Sequence, residues 1–251
     1  MTKNIWITGA SSGIGKALAL KFAKEGWQVA ASARRENLLQ ELNKNDSKIH
    51  SYPVDVKDET KIKEVFQKII EKFKSVDICV FCTGMHDPES ERKLSGEKIR
   101  EIMETNFFGT VNSIMAVNEY FREKKSGNIS IVSSVAGYRG LPAASGYCAS
   151  KAALTSLAES IYFDFKRFNV RVTLVSPGFI ETPMTNKNKF PMPFIKSSTY
   201  AAEKMFIGLT RKKSFEIHFP FIFTLFMKLL KIMPNWLYFL LINRSVKIIK
   251  Y

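Results

Sequence analysis

The chain has 251 residues, 45% of them hydrophobic, which suits one large domain or two small ones with ample core and excludes a disordered or repetitive chain. Its cysteines are Cys79, Cys82 and Cys148, and its N-terminus, MTKNIWITGA, lacks a secretory pattern; free thiols in a reducing, cytoplasmic setting are expected. The formal net charge is +15, and the stretch from Lys187 to Tyr251 carries 12 Lys/Arg against only Glu203 and Glu216. A last quarter that is both basic and apolar suits an acidic partner, such as an anionic lipid surface or an acid-headed substrate; a solubilising charge excess would look the same.

Strand and helix patterns then alternate along the chain. NIWIT (Asn4 to Thr8) is short, apolar and β-prone, and runs straight into GASSGIG. Helical spacing from about Lys16 to Glu25 is followed by a strand, WQVAASA (Trp27 to Ala33), a helix, ENLLQELNK, and a strand, KIHSYPVDV. Ile62, Val65, Phe66, Ile69, Ile70 and Phe73 form one apolar stripe, which predicts a helix with Asp58 as its N-cap. VDICVFCTG is a continuous apolar run ending at Gly84, as in a strand buried on both faces. On such a strand an i, i+3 pair points to opposite faces, so Cys79 and Cys82 read as small buried hydrophobes; no metal site is expected. A long helix from about Glu97 to Glu123, the strand NISIVSS, a helix reaching about Phe168, the strand VRVTLVSPG, a helix over about Ser198 to Lys212 and the strand SFEIHF complete the series. Alternation of this kind means βαβ units, hence a doubly wound parallel sheet of about seven strands, covered by helices on both faces, with ligands at the carboxyl ends of the strands.

TGASSGIG (Thr8 to Gly15) lies where the first strand turns into the first helix. Gly9, Gly13 and Gly15 let the backbone turn sharply and approach a pyrophosphate, for which the helix N-terminus supplies N–H donors. The spacing is G-x-x-x-G-x-G, and a tight turn alone would also use glycine. An acidic residue at the end of strand two would hold the ribose hydroxyls of NAD; Ala33 is instead followed by Arg34 and Arg35. Arginine grips a 2′-phosphate, which favours NADP and assigns that contact to Arg34 before Arg35. Solvated arginines at a helix start are the alternative.

SGYCASKAAL places Tyr147 four residues before Lys151, on one helix face. A nearby ammonium favours phenolate and would lower the tyrosine pKa, giving an acid/base usable near neutral pH. Alone, the same pair also fits an ordinary surface helix.

TGASSGIG, YCASK and SPGFIET in one order resemble the short-chain dehydrogenase/reductase family in its single-domain form, over roughly residues 3 to 218. The resemblance implies a Rossmann-type oxidoreductase with Ser134, Tyr147 and Lys151 as its catalytic set and Asn106 supporting the proton relay. It implies that Ser134 fixes the substrate oxygen, Tyr147 exchanges a proton with it, and Lys151 lowers the Tyr147 pKa and holds the nicotinamide ribose. It also implies cofactor contacts from Gly9, Ser11, Ser12, Gly13, Ile14, Gly15, Arg34, Arg35, Asp55, Val56, Gly84, Tyr147, Lys151, Pro177, Gly178, Ile180 and Thr182. A helix-interior amide would account for Asn106 equally well, and a turn-stabilising carboxylate for Asp55. One departure stands out: the family's Asn-Asn-Ala-Gly at the end of strand four is here Phe81-Cys82-Thr83-Gly84, which puts local stability in doubt.

Most members end soon after strand seven, whereas here FPFIFTLFMKLLKIMPNWLYFLLINRSVKIIKY follows. Lys228, Lys231 and Pro234 interrupt it too often for a transmembrane helix. Thr224, Lys228 and Lys231 form one polar stripe on an apolar helix, which would lie on a membrane surface or pack on the body as a lid or dimer contact. The expectation is an NADP(H)-dependent reductase of a lipophilic carbonyl compound, dimeric by resemblance through the Glu97–Glu123 and Tyr147 helices, with no nucleic-acid partner. A dinucleotide-binding sensor without turnover is the alternative.

Overall fold

The computed structural model describes residues 3–188, 190–212 and 214–249, with side chains as far as Arg244. Seven strands form one sheet: β1 (Asn4–Thr8), β2 (Gln28–Ala33), β3 (Ile49–Pro53), β4 (Ile78–Phe81), β5 (Gly127–Val132), β6 (Val170–Pro177) and β7 (Glu216–Phe219). Every neighbouring pair is parallel, in the order β3-β2-β1-β4-β5-β6-β7. The order reverses between β1 and β4, so the crevice at their carboxyl ends is where such a sheet binds ligands. This is the doubly wound Rossmann-type sheet expected from the alternating pattern.

Alternation along β1 divides the core. Ile5 and Ile7 face α1 (Gly13–Lys24), α2 (Glu36–Asn45) and α8 (Ser198–Thr210), among Leu18, Phe22, Leu39 and Met205. Trp6 faces α3 (Glu59–Phe73), α6 (Gly109–Lys124) and α7 (Ser145–Lys166), among Phe66, Phe81, Phe121 and Leu154. The α3 stripe buries Ile62, Phe66 and Ile69, and Asp58 caps the helix by accepting from Lys61 N at 3.0 Å. Cys79 joins the Trp6 side and Cys82 packs on the Ile5 side, as opposite-facing small hydrophobes; burial raises both thiol pKa values.

The altered strand-four ending is explained by packing. Phe81 is fully buried edge-on to Trp6 at 5.9 Å, and Trp6 stacks on Phe66 at 5.3 Å. An aromatic cluster thus stands where the family has amides, and the ladder to β5 still reaches Phe81↔Ile131.

Two elements carry detail beyond the sequence pattern. The expected helix from Glu97 to Glu123 runs continuously but contains a π turn: α5 (Gly96–Met103) passes through Glu104–Phe108 into α6. A short helix, α4 (Pro88–Glu91), precedes it. Beyond β7 the chain forms α9 (Phe221–Ile232) and α10 (Asn235–Ile249). There the Thr224/Lys228 side of α9 turns inward. Thr224 is fully buried, with its hydroxyl 2.7 Å from His218 Nδ1, and Lys228 donates to Glu216 Oε2 at 2.5 Å. No helix among the described residues is long and apolar enough to cross a membrane.

Candidate active site

A cleft of about 360 Å³ opens at the carboxyl ends of β1 and β4. Its floor is the turn after β1. Gly9 has φ +71°, and a Cβ there would stand 2.8 Å from the Cys82 and Thr83 backbone; one at Gly15 would run into the Gly9 carbonyl. Only glycine lets this turn close against β4. The Ser12 hydroxyl makes no capping bond at the start of α1, whose first turn has no acidic residue. Ser12 Oγ instead accepts from Arg35 Nη2 at 2.7 Å, and Ser11 Oγ accepts from the same guanidinium at 2.9 Å. A positive helix end and a fixed arginine thus face the cleft, a ready anion site.

Arg34 stands at the rim, its side chain 63% exposed and 4.0 Å from Asp55 Oδ2. The guanidinium seated on the turn is Arg35, and both arginines border the cleft. Asp55 also accepts from Lys57 N at 3.1 Å, so it stabilises its own turn while bordering the cleft.

The other end of the cleft holds the Ser-Tyr-Lys set. Ser134 follows β5 and caps a single 3₁₀ turn, accepting from Ala136 N at 3.1 Å. Tyr147 and Lys151 stand on α7, which Ser133 fastens to the end of β5 by donating to Lys151 O at 2.8 Å. Lys151 is buried; its Nζ donates to Val132 O at 2.9 Å and lies 5.7 Å from the Tyr147 ring centre.

The electrostatics differ from the simple Tyr–Lys expectation. Burial pushes the Tyr147 phenol up to about 12, while the Ser134 hydroxyl pulls the other way and Cys148, Cys82 and Glu91 add to the rise. Burial brings Lys151 down to about 8. Desolvation penalises both charged forms and sets the direction of both shifts.

Asn106 sits behind the cleft, in the π segment. Its Oδ1 accepts from Met85 N at 2.7 Å, and its Nδ2 donates to Met85 O and Ser150 Oγ, both at 3.0 Å. The side chain is thus spent on clamping the β4 loop to α7. The amide thus positions these segments, beside the support of the proton relay that the resemblance implies. Every other anticipated site residue borders the cleft: Gly9, Ser11, Ser12, Gly13, Ile14 and Gly15 on the turn; Arg34, Arg35, Asp55 and Val56 at the rim; Gly84; Ser134, Tyr147 and Lys151; and Pro177, Gly178, Ile180 and Thr182 after β6.

Sequence reasoning missed His86 and Glu91. The His86 ring stacks on Tyr147 with centroids 4.4 Å apart, and its Nδ1 lies 2.7 Å from Glu91 Oε1. Glu91 Oε2 accepts from Gly146 N at 2.8 Å and Tyr147 N at 3.1 Å. An ionised carboxylate only accepts, which places the imidazole proton on Nδ1. The one sequence signal was a His two residues after Gly84 beside an acidic run, and only the fold brings it to Tyr147.

A glycine turn with an arginine seated on it, facing a Ser-Tyr-Lys set across one crevice, defines a dinucleotide-binding redox site. The short chain dehydrogenase family model matches residues 3–193. An oxidoreductase of Myxococcus xanthus is 35% identical over 237 residues, covering 92% of this chain and 93% of that protein. A 3-oxoacyl-(acyl-carrier-protein) reductase of Thermotoga maritima is 37% identical over 185 residues, covering 72% and 75%. A short chain dehydrogenase of Burkholderia cenocepacia solved with NADP superposes with a TM-score of 0.82 at 22% identity, over 96% of this chain and 97% of that one. The chain belongs to the short chain dehydrogenase family of oxidoreductases.

Proposed function

We propose that the protein reduces a ketone or aldehyde of a lipophilic small molecule with NADPH. The observation that carries this is the Ser134–Tyr147–Lys151 set at one end of a cleft whose other end holds the Arg35-seated glycine turn. The residues fit a phosphorylated dinucleotide. The space a Cβ would fill at Gly9 is kept free, the α1 N-terminus has no internal anion, and Arg34 and Arg35 flank the ribose end where NAD would need a carboxylate.

The bound cofactor supplies a hydride from its reduced nicotinamide. Everything else falls to the chain. The Ser134 hydroxyl holds the substrate oxygen. As negative charge gathers on that oxygen, Tyr147 Oη donates its proton, and the carbonyl becomes an alcohol. A phenol held near 12 is fully protonated at neutral pH, which suits an acid in the reducing direction. Lys151, where protonated, offsets the charge left on the phenolate. The relative from Thermotoga maritima is named as a reductase, in keeping with this direction. The lipophilic preference rests on the loop after β6, where Phe179, Phe190 and Phe223 meet ring to ring within 6.0 Å.

The test is titration with NADPH and NADH by nicotinamide fluorescence, followed by turnover of apolar ketones and aldehydes. NADPH is expected to bind roughly tenfold or more tighter, the worth of one charge-assisted phosphate contact. Tyr147→Phe is expected to keep that binding and lose about 10²–10⁴-fold in turnover. A preference for NADH, or a Tyr147→Phe variant as active as the parent, overturns the proposal.

A further inference from the structure

Helix α9 is apolar on both sides: Phe223, Met227 and Leu230 are buried against the body, and a second apolar face is exposed. A surface helix normally turns its apolar stripe to the core and its charges to solvent. Here Thr224 and Lys228 face the body, held by His218 and Glu216. The opposite side presents Phe221, Ile222 (69% exposed), Phe226, Leu229 and Ile232. Helix α10 continues that surface with Trp236 (70% exposed) and Phe239.

The orientation is fixed by strong contacts. Tyr138 Oη donates to Glu216 Oε1, as does Ser176 Oγ at 2.7 Å, so three donors hold one carboxylate between the sheet and α9. Arg139 donates to Leu230 O at 2.7 Å and Met233 O at 2.6 Å and covers the Tyr238 ring at 4.1 Å. Phe223, Met227, Leu230 and Tyr238 pack on Val135 and Tyr138. Rotating α9 to hide its outer face would break all of these.

Contiguous apolar surface on this scale marks a binding face. Charge identifies its occupant. From Ile217 onward the sequence has five Lys/Arg and no Asp/Glu. Lys231 and Arg244 are exposed beside the apolar residues. A second copy would bring the same positive charges against these, whereas an anionic bilayer complements them. Trp236 and the surrounding phenylalanines suit the boundary between headgroups and acyl chains. We infer that the α9–α10 outer face docks on an anionic membrane surface, lying on the bilayer without crossing it.

The inner side of the helix that carries the docked face adjoins the cleft through buried Phe223. A Cβ at Gly178, which lines the cleft, would stand 2.7 Å from Phe223 Cδ1, and exposed Phe194 lies 6.1 Å from Phe223, ring centre to ring centre. A substrate held in the bilayer would therefore arrive beside the nicotinamide end.

The test is co-sedimentation of the full chain with vesicles of phosphatidylcholine alone or mixed with about a third phosphatidylglycerol. Binding is expected to the anionic vesicles and to fall as salt rises. Phe226→Glu combined with Leu229→Glu is expected to lose about tenfold or more of the bound fraction, with NADPH binding and oligomeric state unchanged. Lys231→Glu with Arg244→Glu is expected to erase the preference for anionic vesicles. Failure to sediment with either vesicle, equal binding to both, or a dimer that Phe226→Glu/Leu229→Glu dissociates would each overturn the assignment. Sedimentation is scored without reference to turnover, so the docking and catalytic proposals fail separately.

Discussion

Lys151 carries the site's sharpest pH dependence. Burial brings its folded pKa to about 8, from an ordinary value of 10.5. Between those two pH values the unfolded chain binds a proton that the folded chain does not, so this residue's contribution to stability rises with pH across that window and is least favourable below it. Cofactor binding has the opposite sign, because an anionic ligand needs the ammonium. NADPH affinity of the free protein is therefore expected to fall as pH rises through about 8, and Lys151→Gln to bind more weakly with a flatter profile; fluorescence titration at several pH values checks both. Tyr147 and Lys151 were legible in the sequence as a local helical pair, and Ser134 through the family resemblance. The proton affinities were not, because desolvation comes from β4, β5 and α7 packing together.

At the scale of elements, the N-terminus of α7 depends on a side chain from a different helix. Glu91 is buried and satisfies the Gly146 and Tyr147 N–H groups, an arrangement that also seats His86 on the Tyr147 ring. Glu91→Ala leaves two buried donors unpaired, at about 1–3 kcal/mol. A fall of several degrees in Tm is expected, together with a lower kcat, as Tyr147 loses its fixed orientation while the distant phosphate end keeps its affinity. Glu91→Gln keeps one acceptor oxygen and is expected to fall between; thermal melts and steady-state kinetics check the series. The α3 stripe and its Asp58 cap were readable from apolar spacing and a capping residue. The π segment was not, because Asn106 is pulled inward by Met85 and Ser150, from parts of the chain remote in sequence. Likewise the direction of the Thr224, Lys228 and Lys231 stripe was left open by the sequence, and β7 brings Glu216 and His218 beneath two of them.

For the whole molecule, alternating strands and helices fixed the parallel sheet and the position of its crevice, since only a few topologies accept that order. The assembly follows from what the sheet leaves uncovered. Phe108, Met115 and Phe163 are exposed along the π segment, α6 and α7, away from the α9–α10 face. We expect these helices to pair in a homodimer. Light scattering is expected to give twice the chain mass, and Phe163→Asp to give a monomer that still binds NADPH. A tetramer, or a parent protein that is already monomeric, counts against this pairing.

The carboxylate shared by Tyr138, Ser176 and Lys228 has one more consequence. Glu216 belongs to the sheet, Tyr138 to the segment after the catalytic serine, and Lys228 to the added helix. The extension is therefore not a detachable module. Transplanted onto a relative lacking these body residues, it would carry a lysine and an inward threonine with nothing to meet them. Removed from this chain, it would strand a half-buried anion beside Ser176. Body and extension are bound to change together, so divergence at any one of these three positions should be matched at the other two.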